Sequence, residues 1–160
     1  MIREMIQSDW QRVAEIYEQG LEKGISTFQT ECPTYEEWDA AHIRDCRYVY
    51  VTDKKVVGWI ALTPSSSRCA YKGCVEVSIY IDDAYQGNGI GTKLMERICE
   101  ETEQAGYWSL LSTIFSINEA SIALHKKTGF REIGYREKIA KDRFGTWQNT
   151  TLMERRNCIM

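Results

Sequence analysis

The chain has 160 residues, 43% of them apolar and 27% charged, and a formal net charge of -3. That length fits one domain able to bury a core, and a mildly acidic chain without a Lys/Arg cluster argues against nucleic acid as its main partner. No apolar run reaches the roughly 18 residues that would span a membrane, and Met1-Ile2-Arg3-Glu4 starts no apolar leader segment, so a cytoplasmic protein without a membrane partner is expected.

Residues 2–6 read as a short first strand. Ser8 or Asp9 caps a helix whose apolar face is Trp10, Val13, Ile16 and Tyr17 and which stops at Gly20 or Gly24. An aperiodic loop over 28–33 follows. Thr34, with Glu37 three residues later, then forms a capping box for a second helix. Residues 48–52 and 56–62 flank Asp53-Lys54-Lys55 as a hairpin, and a Pro-Ser-Ser-Ser loop from Pro64 leads to an alternating, β-branched strand over 75–81. Beyond a glycine-rich turn, Ile90, Leu94 and Ile98, with Met95 and Cys99 beside them, mark a helix that Gly106 closes.

The apolar run 108–115 suits a strand buried on both faces. Residues 120–127 form a short helix, with Gly129 as its left-handed C′ residue. Two strands, 133–139 and 147–153, finish the chain as a hairpin around Phe144-Gly145. This order predicts an α/β domain with a mixed sheet and no repeat or linker. The six cysteines form no C-x-x-C pair and there are two histidines, so no metal site is expected and the thiols read as reduced.

The chemistry concentrates at Gln86-Gly87-Asn88-Gly89-Ile90-Gly91. A glycine turn between a strand and a helix leaves several N–H groups unpaired at the positive end of the helix dipole, a ready site for a phosphate-bearing ligand. Two familiar phosphate motifs are absent. Gly91 is followed by Thr92-Lys93 rather than Lys-Ser/Thr, and the glycines run G-x-G-x-G rather than G-x-G-x-x-G.

The remaining pattern, Gln/Arg-x-x-G-x-G/A, is met by Gln86, Gly89 and Gly91 and resembles the acetyl-CoA signature of the GNAT acetyltransferases. Asn118-Glu119-Ala120-Ser121, with Gly129-Phe130 further on, resembles a second segment of that family. The resemblance narrows to the phosphinothricin N-acetyltransferase family through Thr27-Phe28-Gln29-Thr30-Glu31, Glu36-Glu37-Trp38, Arg68, Ala70, Tyr71, Glu76 and His125, and it covers nearly the whole chain.

What the resemblance implies is a GNAT-type fold, a mixed and mostly antiparallel sheet flanked by helices. It implies acetyl-CoA as co-substrate without a metal, and a homodimer. The acceptor it implies is the α-amine of a small amino acid or analogue, of the phosphinothricin or methionine sulfoximine or sulfone type. Backbone N–H groups from Gly87 to Thr92, Asn88 and Ile90 included, are expected to hold the pyrophosphate. Ile79, Tyr80, Ile81 and Asn118 are expected to hold the pantetheine arm.

Transfer to an amine needs a neutral nucleophile. A free α-amine has a pKa of about 7.7–8.0, so a modest base suffices. Glu76, directly or through water, is the candidate base, and His125 the candidate acid for the thiolate. Arg68 can grip a carboxylate bidentately, with Tyr71 beside it; Phe28 and Trp59 can wall the acceptor, and Thr30 or Glu31 hold its amine. A polyamine, an antibiotic or a protein N-terminus stays open as the acceptor, as does a non-catalytic acyl-CoA sensor.

Overall fold

The computed structural model describes residues 1–158. Its strands are β1 (Ile2–Glu4), β2 (Tyr48–Thr52), β3 (Lys55–Pro64), β4 (Cys74–Ile81), β5 (Ser109–Phe115), β6 (Arg131–Lys141) and β7 (Trp147–Arg156). The helices are α1 (Trp10–Lys23), α2 (Tyr35–Ala41), α3 (Ile90–Ala105) and α4 (Glu119–Lys127). Among the described residues the strands form one sheet in the order β1-β2-β3-β4-β5-β7-β6. Every neighbouring pair is antiparallel except β4 with β5, which is parallel. The mixed, mostly antiparallel α/β architecture expected from the sequence is the one observed.

Alternation along β3, switched once by a bulge at Val57 opposite Tyr50 and Val51, sorts its side chains to two cores. Val57, Ile60 and Leu62 pack under α3 with Leu94, Met95 and Ile98. Val56, Trp59 and Ala61 face the other way, against Val13, Ile16 and Leu21 of α1 and Trp38 of α2. Burying such side chains contributes about 1.5–3 kcal/mol each, which is what holds α1 and α3 to opposite faces. Trp59, expected at the acceptor wall, is instead 1% exposed within this second core. Its ring stacks on Tyr80 at 5.1 Å and meets Trp38 edge-on.

The α2 capping box forms as read: Thr34 Oγ1 accepts the Glu37 N–H at 3.2 Å. The first helix runs through Gly20 and stops at Gly24, whose φ of 69° supplies the left-handed cap. Gly20 is there for space. A Cβ on it would lie 2.9 Å from the Tyr80 ring. Strand β5 also departs from expectation, since Thr113 is exposed. On that α1-side face Leu111 is half-buried and only Phe115, against Phe28, is covered.

Candidate active site

Strands β4 and β5 pair at Cys74–Ser109, Val75–Leu110 and Glu76–Leu111, and beyond Glu76 they diverge. The cleft that opens has a volume of about 770 Å³. Its walls are β4 from Glu76 to Ile81 and β5 from Ser112 to Phe115; the glycine turn and α4 close one side, and residues 25–29 close the other. Parting two strands leaves their inner N–H and C=O groups without a ladder, so the cleft is lined by backbone that seeks partners.

At its open end the chain leaves β4 through a fixed corner. Asp82, 5% exposed, accepts the Ala84 N–H at 2.9 Å and pairs with Arg12 of α1 at 2.6 Å. Burial works against this carboxylate, but the Arg12 bond holds it below its ordinary pKa. Gln86 Nε2 donates to the Ile81 carbonyl at 3.1 Å. Gly87 and Gly89 follow, with φ of 80° and 75°, in a conformation that side-chain-bearing residues adopt at a cost. The first bond of α3 is Lys93 N–H to the Gly89 carbonyl at 3.1 Å. The N–H groups of Ile90, Gly91 and Thr92 therefore precede the helical ladder and, with the dipole, present positive charge to the cleft.

Alternation assigns the other groups to faces. Val75, Val77, Ile79 and Ile81 belong to the α3 side, so Glu76, Ser78 and Tyr80 belong to the α1 side. On β5, Leu110 and Ile114 pack under α3, which puts Ser112 with them. Ser112 meets His125 of α4 there: His125 Nε2 lies 2.8 Å from Ser112 Oγ, and Nδ1 lies 2.7 Å from the Ser121 carbonyl. A carbonyl only accepts, so Nδ1 carries a proton, and in the neutral ring Ser112 donates to Nε2. His125 is 2% exposed, and burial pushes its pKa below the ordinary imidazole value. Glu76 and His125 thus line one cleft from opposite faces of the sheet.

Most sequence-selected residues converge here. Glu76, Ile79, Tyr80, Ile81, Gln86, Gly87, Gly89, Ile90, Gly91, Thr92, Asn118, His125 and Phe28 all line the cleft. Asn118 also caps α4, its Oδ1 accepting the Ser121 N–H at 3.2 Å. Phe28 packs on Phe115 with ring centroids 4.4 Å apart, and Gln29 next to it accepts a hydrogen bond from Tyr17.

Besides Trp59, five positions stand outside the lining. The Asn88 side chain turns back to the Tyr85 carbonyl at 3.1 Å. Thr30 and Glu31 are exposed. Arg68 and Tyr71 are exposed on the 65–73 connection, which enters β4 at the Glu76 end. Ser112, Thr113, Phe115 and Thr150 line the cleft without having been singled out. No cysteine lines it, and among the described residues no group of three His, Cys, Asp or Glu is placed to hold a metal.

Known proteins resemble this chain in sequence and in fold. The Bacillus subtilis protein YwnH, provisionally named a phosphinothricin acetyltransferase, is 34% identical over 139 residues, 83% of this chain and 85% of its own. A ribosomal-protein-alanine N-acetyltransferase from Brucella melitensis superposes with a TM-score of 0.90 at 26% identity, covering 98% of this chain and 99% of that one. A phosphinothricin acetyltransferase from Sinorhizobium meliloti, solved with acetyl-CoA, gives 0.89 at 24% identity over 98% and 88%. Residues 9–130, which carry the split strands, the glycine turn and His125, match the acetyltransferase (GNAT) family, and to that family this chain belongs.

Proposed function

We propose that the protein, one catalytic domain over its whole length, acetylates the α-amine of a small amino acid or analogue of the phosphinothricin or methionine sulfoximine type. Transfer is direct, with both substrates bound. The observation that carries the reading is the split between β4 and β5. It joins an anion-binding helix start to a carboxylate, and it opens to both faces of the sheet.

Acetyl-CoA supplies the acetyl group as a thioester. The free N–H groups from Gly87 to Thr92 suit its pyrophosphate, and the β5-side edge of Ile79–Ile81, which has no strand partner although its other edge pairs with β3, suits an arm built of amides. Glu76, on the α1 face, takes a proton from the acceptor's ammonium group, directly or through a water. A β4 N–H donates to the oxygen on which charge develops. On the α3 face Ser112, held by His125 Nε2, hands a proton to the leaving thiolate, and the second proton shed by the attacking nitrogen passes through water to the Ser112–His125 pair to replace it. A covalent cysteine route has no support in the cleft, and burial pushes the Cys46 thiol up to about 11.

The acceptor's carboxylate is held at the Glu76 end by Arg68 and Tyr71, with the 65–73 connection folding toward the cleft around it. Two copies associate through β6, an edge strand that exposes Ile133, Tyr135 and Ile139 beside Trp147; sedimentation showing a monomer at micromolar concentration would refute that. Dependence on acetyl-CoA supports a cytoplasmic location.

Thiol release from acetyl-CoA, screened over amino acids, their decarboxylated amines, polyamines and a peptide with N-terminal alanine, tests the reading. The Brucella likeness makes the peptide the second candidate. Glu76→Gln should lower turnover by about 10²–10⁴, less at high pH where the amine deprotonates unaided. Wild-type turnover in that variant across the pH range would leave Glu76 a structural role only.

A further inference from the structure

The β7 residue Thr150 is 1% exposed and lines the cleft, and its Oγ1 has no hydrogen-bond partner among the described residues. Its neighbour shows what a settled hydroxyl looks like: Thr151 Oγ1 lies 2.9 Å from Ser116 Oγ on the α3 face. A buried hydroxyl left unpaired costs free energy, and nothing in the fold recovers it.

Its position says what could. Thr150 pairs with Phe115, and Leu111, four residues earlier on the same strand, pairs with Glu76. Four residues of extended strand span about 13 Å. Thr150 therefore shares the α1 face with Glu76 but lies too far along it to meet the reacting amine. Phe115, directly opposite Thr150 on β5, packs its ring on Phe28, and both rings line the cleft.

We propose that Thr150 determines acceptor specificity by donating a hydrogen bond to an oxygen at the far end of the acceptor's side chain. The inference rests on the proposed function, with the amine at Glu76. Within the acceptors already proposed, it favours those whose short aliphatic chain ends in a sulfone, sulfoximine or phosphinate oxygen. The apolar walls take the chain and the hydroxyl takes the oxygen.

The test compares methionine sulfone with methionine as acceptors for the wild type, Thr150→Val and Thr150→Ser. Thr150→Val keeps the shape and removes the hydroxyl. The preference for the sulfone in kcat/KM should fall by about three- to tenfold, through KM, with acetyl-CoA affinity unchanged. Thr150→Ser should restore the preference.

Thermal unfolding adds a readout that a structural hydroxyl would move the other way: Thr150→Val should melt no lower than wild type. If that variant does not fold, Thr150→Ala carries the same comparison. An unchanged sulfone preference in a folded variant, or weakened acetyl-CoA binding, overturns the assignment. Wild-type activity on peptides or polyamines but on neither amino acid overturns the parent reading, and this one with it.

Discussion

At the scale of single residues, the glycine turn separates space from conformation. A Cβ on Gly89 would meet nothing within 4 Å, so its cost to the free protein comes from its φ of 75°. Gly106 offers a matched control, with φ of 89°, equally open surroundings and a place at the far end of α3. Gly89→Val and Gly106→Val should each lose about 1–2 kcal/mol of stability. Acetyl-CoA affinity should fall at least about tenfold in the first variant alone, the worth of one or two lost N–H contacts. Equal affinities in titration calorimetry would take the pyrophosphate away from this turn.

His125 shows how burial redirects a residue chosen for its ordinary chemistry. The sequence marks it as an acid poised near neutrality, whereas its neighbours fix Nδ1–H on a carbonyl and leave Nε2 as the exchanging nitrogen. The sequence holds no sign of Ser112, because a serine on a strand declares neither its face nor what crosses to meet it. Thr150 was hidden for the same reason.

Among the elements, the corner between β4 and the glycine turn depends on α1. Arg12 donates to the Val56 carbonyl at 3.0 Å and pairs with Asp82, while Lys23 at the other end of the helix pairs with Asp83. Asp82→Asn should cost about 2 kcal/mol, since a hydrogen bond between charged groups is exchanged for a weaker one. It should also weaken acetyl-CoA binding by loosening the turn, and unchanged affinity would show that the turn holds its shape without α1.

Elements were the most legible level of the sequence. The Thr34–Glu37 box, the alternation on β4 and the stripe on α3 are local patterns, and each falls where it was read. The divergence of β4 from β5 is a contact that stops, and no local pattern records it. The position of Arg68 and Tyr71 escaped for a related reason, since the course of the 65–73 connection is set by no periodicity.

For the molecule as a whole, stability should depend on pH in two stages. Burial lowers the pKa of both His42 and His125 below the ordinary value of about 6.5. Above that pH both rings are neutral in the folded and unfolded chain, and the full stability is present. As pH falls below it the unfolded chain takes up protons that the native rings resist, and stability is lost until the lowered native values are passed. A second loss follows at lower pH, where Asp9 and Asp82, both held below their ordinary values, are protonated. Melting temperatures at pH 7.5, 5.5 and 4 read both stages. A Tm that does not fall between pH 7.5 and 5.5 would contradict the first, and His125→Gln should make that fall smaller, leaving the part due to His42.

Three residue pairs join the two halves of the sheet, and past them each half presents an open flank to the other. An outer flank of that kind invites a strand from any passing chain, and natural sheets guard theirs with charge or curvature. This flank is guarded by enclosure, between the glycine turn and α4 on one side and residues 25–29 on the other. A polypeptide strand would send side chains alternately to the two faces, where α4 and residues 25–29 stand, while a bare arm of amides carries none. The protein thus keeps a pairing site in its interior that filters by thickness, and whatever fills it serves as the missing strand through which the two halves bear on each other.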